Sequence, residues 1–229
     1  MSWVIGDIHG CHEELEDLLA QIPSKDRLIF VGDYIDRGPA SAAVVQRLLR
    51  EKKRSVFLMG NHEGMLLQYF GPAKNVAWLW PGNGGLQTLE SYGLKARNLR
   101  YEQIPAAHRK FYEKLRLYHE EDDFIVVHAG VRVWQGNSLA PVSIRKQQRE
   151  DLLWIRLEWI NEEHRWKGKK VYYGHTPTRY VRGPNDEKSP MYGKNSVGLD
   201  TGCVYGGYLT AVNTDTGDLI QVRAKHVYI

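Results

Sequence analysis

Apolar and polar positions along the chain follow two periods. Trp3-Val4-Ile5 is a short continuous apolar run that stops at Gly6. Residues 12–22 then carry Leu15, Leu18, Leu19 and Ile22 at helical spacing, until Pro23-Ser24 breaks the pattern. The strand-then-helix pattern recurs from there, with a predicted strand at 27–31, a helix at 41–51 with Val44, Val45, Leu48 and Leu49 inward, and a strand at 55–59. Further strands are predicted at 124–127 and 170–173, and residues 143–164 read as helical. Three closing strands lie in SVGLD, GYLTAV and LIQVRA, with Asp215-Thr216-Gly217-Asp218 as the last turn. Between them, residues 179–194 are rich in Pro, Gly and charge and read as loop. Strand, charged glycine turn and helix in repetition predict an α/β fold with the turns gathered at strand carboxyl ends.

From Gly71 to about His108 the periodicity loosens. WLWPGNGG, at 78–85, reads either as an excursion over a site or as a structural loop anchored by Trp78 and Trp80. No linker or internal repeat interrupts the pattern, so the expectation is one domain over residues 1–229.

Composition narrows the class. At 229 residues, 42% hydrophobic and 25% charged, the chain can bury an ordinary globular core. Its formal charge of +4 is mild and dispersed, which suits anionic substrates but forms no basic-aromatic stripe for nucleic acid. An acidic residue arrives at position 7, too early for a secretory signal, and no apolar run approaches a membrane span. The expectation is a cytoplasmic protein without membrane or nucleic-acid partners. Two cysteines, Cys11 and Cys203, are expected as free thiols.

The chemistry sits in the turns. Five apolar strands run into GDIHG (6–10), GDYIDRG (32–38), GNHE (60–63), HAG (128–130) and GHT (174–176). The first three are separated by 21 residues each time, room for one helix and the next strand. An Asp after a strand is commonly a turn former or helix cap, and a single His beside a strand is commonly structural. Five such turns on one sheet edge are different, because Asp7, His9, Asp33, Asn61, His128 and His175 would converge. Carboxylate, amide oxygen and imidazole suit a borderline divalent cation such as Mn²⁺, Fe²⁺ or Zn²⁺. Six ligands are too many for one ion that keeps an open position and suit two, with Asp33 of the middle turn as bridge. The other histidines, His12, His108, His119, His164 and His226, are expected in solvent.

In order and spacing, GDIHG, GDYIDRG and GNHE resemble the signature motifs of the metal-dependent phosphoprotein phosphatases, calcineurin-like metallophosphoesterases, of the compact bacterial and phage type. HAG, GHT and LDTGCVYGGYLTAV (199–212) resemble their later motifs. The resemblance implies a central β-sandwich of mixed sheets flanked by helices, with two metal ions at the strand ends. It assigns Asp7, His9 and Asp33 to one ion and Asp33, Asn61, His128 and His175 to the other, with a bridging water attacking phosphorus in line. It also implies His62 as general acid, Asp36 as the carboxylate that orients it, and Arg37 and Arg156 as phosphate-binding residues.

Two substrate classes follow. Symmetrical diadenosine tetraphosphate hydrolases share these motifs but typically carry alanine where Asp36 stands. A serine or threonine alkoxide is a more basic leaving group than a nucleotide phosphate and needs more acid assistance. Asp36 therefore turns the sequence-based expectation towards phosphorylated proteins as substrates. A metal-stabilised module without catalysis is the remaining alternative.

Overall fold

The computed structural model describes residues 1–72, 77–95, 97–135, 138–139, 143–183 and 188–229. The chain opens as β1 (Ser2–Ile5), α1 (His12–Leu19), β2 (Arg27–Phe30), α2 (Ser41–Arg50), β3 (Ser55–Phe57) and α3 (Asn61–Phe70). The middle contains α4 (Gly85–Ser91), α5 (Ala106–Glu113), β4 (Tyr118–Glu120), β5 (Phe124–Val127), β6 (Trp134–Gln135) and β7 (Ser138–Leu139). It closes with α6 (Arg149–Trp154), α7 (Leu157–Glu162), β8 (Lys170–Tyr173), α8 (Thr178–Arg182), β9 (Met191–Tyr192), β10 (Ser196–Gly198), β11 (Tyr208–Asn213) and β12 (Leu219–Arg223).

Two five-stranded mixed sheets form, ordered β12-β11-β1-β2-β3 and β4-β5-β8-β10-β9. Their facing sides bury Val4, Ile29, Val31, Leu58, Val126, Tyr172, Val197 and Val212 as one apolar layer. Near-continuous apolar strands such as 28–31 require this, since both faces of each strand must be covered. On the outer face of the first sheet, Ile5, Leu28 and Phe30 meet Leu15, Leu18, Val44, Leu48 and Leu66 of α1, α2 and α3. On the outer face of the second, Ile125, Val127 and Val171 meet Leu152 and Trp159. The result is the helix-flanked sandwich, and each fully buried Leu, Ile or Val contributes about 1.5–3 kcal/mol towards it.

The sheet register places the turns. β1, β2 and β3 pair in parallel with Ile5 opposite Phe30 and Phe30 opposite Phe57. β5, β8 and β10 also run parallel, with Val126 opposite Tyr172 and Gly198 opposite Tyr173. Six carboxyl ends, three from each sheet, are thereby level with their neighbours. The sheets are tied there directly: His175 N–H donates to Asp7, and His128 Nδ1 lies 3.0 Å from the Val31 carbonyl.

Several expectations are corrected. The helix at 143–164 is broken: a short 3₁₀ turn and α6 end at Trp154, Ile155 is extended, and Arg156 starts α7. The loop at 179–194 contains α8 and β9, while 184–187 fall outside the described residues. His108 and His119 are buried, not solvated, because His108 bonds Tyr92 and Gln46, and His119 bonds Glu121. Trp80 is fully buried whereas Trp78 is 76% exposed, so only one of the two anchors the core. Cys11 and Cys203 are free, buried, and close to each other beside Glu14. Among the described residues, no helix is long and apolar enough to cross a membrane.

Candidate metal centre

The turn after β2 is held by a carboxylate from α3. Glu63, at the third position of α3, accepts the backbone N–H groups of Gly60, Asp33, Tyr34 and Ile35 at 2.8–3.3 Å. Four otherwise orphaned donors are satisfied by one buried side chain, a capping box extended across two turns. The turn needs this support because its backbone is strained. His9, Asp33, Asp36, Arg37 and His175 all have positive φ, between 46° and 74°. Non-glycine residues in that region cost about 1–3 kcal/mol each and persist only where the surroundings over-determine them. Glycine is needed at Gly60 and Gly174, where a Cβ would stand 2.0 Å and 1.9 Å from the Oδ1 atoms of Asp33 and Asp7.

The side chains converge as two donor groups that share Asp33. In one, ligand atoms of His9, Asp33 and His62 lie within 4.8 Å of one another; in the other, those of Asp33, His128 and His175 do. Asn61 Oδ1 joins the second group, 3.0 Å from His128 Nε2 and 2.9 Å from His175 Nδ1. Asp7 joins neither group but sits on the same edge, its carboxylate fixed by His175 N–H.

Tautomers decide what these groups can hold. His9 Nδ1 donates to the Ile35 carbonyl at 2.9 Å and His128 Nδ1 donates to the Val31 carbonyl, which leaves each Nε2 as a lone pair. Burial foremost pulls the pKa of His9, His128 and His175 below the usual histidine value, so all three are neutral. The lone pair of His128 Nε2 therefore faces the lone pairs of Asn61 Oδ1, two acceptors at contact. His175 Nε2 is buried without a hydrogen-bond partner. Burial raises the pKa of Asp33; positive charge on the surrounding histidines, His128 first, would pull it below the ordinary range, and His62 N–H, 3.1 Å from Oδ1, favours the ionised form. An ionised aspartate among aimed imidazole and amide lone pairs fits divalent cations in both groups.

Around this centre the other expected residues are placed as follows. His62 Nδ1 lies 2.6 Å from Asp36 Oδ2, and its Nε2 faces Asp33 at 3.9 Å. Asp36 is fully buried and also accepts Trp80 Nε1 at 2.9 Å and Thr88 Oγ1 at 2.6 Å. Burial raises its pKa, against the pull of His62 and Thr88. Arg37 Nη1 is 2.7 Å from His9 Nε2, at the mouth of the first group. Arg156 Nη1 donates to the His175 carbonyl at 2.7 Å, which brings its charge to the second group. The bond is made from the non-helical residue between α6 and α7.

The family model described as Calcineurin-like phosphoesterase matches residues 2–189. The chain belongs to the calcineurin-like phosphoesterases. Among the relatives of this phosphoesterase is the bis(5'-nucleosyl)-tetraphosphatase PrpE (asymmetrical) of Bacillus cereus strain Q1, 30% identical, with 99% of this chain and 95% of that protein covered. The protein of the same name from Anoxybacillus flavithermus strain DSM 21510 / WK1 is also 30% identical, with the same coverage. A crystal structure assigned as a diadenosine tetraphosphatase gives a TM-score of 0.70 at 24% identity, covering 97% of this chain and 93% of that one. A Saccharomyces cerevisiae protein serine/threonine phosphatase gives 0.60 at 16% identity, covering 99% and 80%. At these identities both structures speak for the fold.

Four residues at the phosphoesterase centre were not read from the sequence. Glu63 could have been found as the third residue of a helix after a strand-ending glycine, the capping-box position. Asp200 follows β10 in LDTG, the same signal that marked the other turns, and is buried beside Asp7. Trp80 and Thr88 meet Asp36 across 44 and 52 residues, with no local signature.

Asp200 yields a prediction. Burial first, then Asp33, raises its pKa from 3.8 to about 6, against the pull of Gly202 N–H and the arginines. The folded chain thus binds a proton more readily than the unfolded chain, and stability from this group falls as pH rises through that interval. For chelator-treated protein, Asp200→Asn is expected to raise the melting temperature at pH 7.5 by several degrees, from a gain of up to about 3 kcal/mol. The difference closes below about pH 4, where aspartate is protonated in both states. Parallel melting curves with no pH-dependent gap would exclude the buried charge as the cause.

Proposed function

We propose that this phosphoesterase hydrolyses dinucleoside tetraphosphates asymmetrically, releasing a nucleoside monophosphate and a nucleoside triphosphate. The carrying observation is the 30% identity to the PrpE tetraphosphatases across 99% of this chain and 95% of theirs. It shifts the weight from the phosphoprotein expectation to the dinucleotide alternative, and from symmetrical to asymmetrical cleavage. Asp36 no longer argues against it. With Trp80, Thr88 and His62 all bonded to its carboxylate, Asp36 is the post that fixes the His62 ring whatever the substrate.

Asp7, His9 and Asp33 would hold one divalent ion and Asp33, Asn61, His128 and His175 a second, with Mn²⁺ the first choice and Fe²⁺ or Zn²⁺ compatible. Such a pair, when bound, lowers the pKa of water and offsets charge on phosphoryl oxygens. The chain does the rest. Arg37 and Arg156 grip the reacting phosphate from either donor group, Arg37 with a planar fork suited to two oxygens. Asp36 keeps the His62 Nδ1 proton in place, so that Nε2 is the atom presented to the reaction. A departing nucleoside triphosphate carries its own charge well, so His62 has little proton to give in this reaction.

The second reading, a protein serine/threonine phosphatase, is favoured by the 2.6 Å His62–Asp36 pair, which can protonate a departing alkoxide. Incubation with Mn²⁺ and diadenosine tetraphosphate, a phosphoserine peptide and p-nitrophenyl phosphate in parallel separates the readings. The expected result is AMP plus ATP from the dinucleotide, abolished by chelation and restored by Mn²⁺. Two ADP would correct the regiochemistry. Turnover of the peptide without the dinucleotide would replace the first reading by the second.

A further inference from the structure

β3 is the outer strand of the first sheet, and beside it, between the end of α2 and α5, lies a cavity of about 480 Å³. Leu49, Phe57 and Leu115 give it an apolar floor, and Lys52, Lys110, Lys114 and Arg116 surround that floor with no carboxylate among the lining residues. Among the described residues, none of these four cationic side chains has a hydrogen bond or an ion pair. The acids next to them in sequence are engaged elsewhere: Glu51 pairs with Arg47 and Arg54, and Glu113 bonds Tyr101. Lys110 and Lys114 stand one helical turn apart on the same face of α5 and its cap, where like charges repel. Ser55 Oγ belongs to the same cavity, buried and without a hydrogen-bond partner among the described residues. No residue of the metal centre takes part, and Ser55 opens β3 at the end away from the Gly60 turn.

We propose that this cavity is a second binding site, independent of the metal centre, for a small aromatic anion. Its ring lies on the Leu49, Phe57 and Leu115 floor, and its charged head meets Lys110, Lys114, Arg116 and Lys52. A concave, mainly apolar space of this size with a few convergent polar groups is the usual form of a small-molecule site. The unbalanced cations select negative charge, and the lysine stems can cover apolar surface while their heads reach the anion. A ring is favoured over an aliphatic body because Phe57 already stacks on Phe30 and meets Phe111 edge-on at 5.1 Å, so a further ring extends an aromatic cluster. Ser55 Oγ supplies one hydrogen bond at the buried end. A peptide added as a strand fits less well. The Arg116 backbone already takes the free edge of β3, donating to the Phe57 carbonyl and accepting Met59 N–H.

The test is a fluorescence titration of the Mn²⁺-loaded protein with 8-anilino-1-naphthalenesulfonate, set against its uncharged analogue N-phenyl-1-naphthylamine and against tripolyphosphate, an anion without a ring. The sulfonate is expected to bind one site at least about tenfold more tightly than the uncharged analogue, a step of 1.4 kcal/mol. Reversing two charges, Lys110→Glu with Lys114→Glu, weakens the sulfonate by about tenfold or more and leaves the analogue unchanged. Ala107→Trp, on the exposed first turn of α5, fills the cavity and weakens both. Melting temperature and kcat on p-nitrophenyl phosphate stay at parent values in both variants, because these side chains touch neither the core nor the metal centre. The charge variant alone decides the matter if the tryptophan variant does not fold. Sulfonate affinity unchanged by charge reversal overturns the site. Equal affinity for the uncharged analogue in the parent overturns its selection of anions. Displacement of the sulfonate by tripolyphosphate at equal concentration overturns the role of the ring. A parent protein that sediments as a dimer, and as a monomer once Ala107 is replaced, assigns the cavity to a second copy of the chain and overturns the ligand.

Discussion

Asp33→Asn is expected to lower hydrolysis of every phosphoester by at least about a thousandfold, roughly 4 kcal/mol in the barrier. Asp33 is the one side chain that belongs to both donor groups. Its oxygens lie between the two sets of imidazoles, so an amide in its place removes a full negative charge from between two cation sites. The fold has less to lose. Asparagine keeps an acceptor for the His62 backbone N–H, 3.1 Å from Oδ1, and its backbone N–H still reaches Glu63. Melting of the chelated variant should therefore stay close to that of the parent, while metal titration by calorimetry loses its tight phase. Wild-type turnover in a folded Asp33→Asn protein would remove the shared-ligand arrangement altogether.

The second large effect depends on the leaving group. His62→Asn is expected to slow hydrolysis of a phosphoserine or other alkyl ester by about 10²–10⁴-fold, the usual contribution of a positioned acid. For diadenosine tetraphosphate the loss should stay within about tenfold, because the departing triphosphate needs little protonation. The geometry dictates the contrast. Asp36 holds Nδ1 at 2.6 Å and Trp80 and Thr88 hold Asp36, so the ring is fixed and its Nε2 is the group that can move a proton at the site. Equal losses on both substrates would mean that His62 acts only by shaping the donor groups. The substrate with the higher parent kcat/KM then also tells which chemistry the pair serves.

Much of this site was legible because its parts are local. An apolar strand followed by Gly-Asp, Gly-Asn-His or Gly-His-Thr announces a carboxylate, an amide or an imidazole at a strand end, whatever lies elsewhere. Helical periodicity was equally reliable where packing and propensity agree, as in α1 and α2. It misled at residues 143–164, where an amphipathic pattern runs on but the backbone leaves the helix at 155–156, with the Arg156 guanidinium bonded to the His175 carbonyl of a remote turn. The burial of His108 was hidden for a related reason: its partners, Gln46 and Tyr92, come from α2 and from the end of α4. Trp80 could be read as lid or anchor, and only its bond to Asp36 distinguishes the two.

The sequence by itself determined the inventory of metal-type donors, the strand-turn-helix spacing that lines them up, and the glycine-bounded turns that carry them. These are properties of a few neighbouring residues, and short-range periodicity and turn chemistry encode them. The tertiary structure alone decided that β11 returns to pair with β1 two hundred residues away, and that the ends of both sheets meet at Asp7 and His175. It also decided which imidazole nitrogen is left as a lone pair, and that Asp200 lies buried beside Asp7. Such facts depend on distances of a few ångströms between atoms from remote segments, set by the packing of two sheets and their helices together, and no local pattern records them.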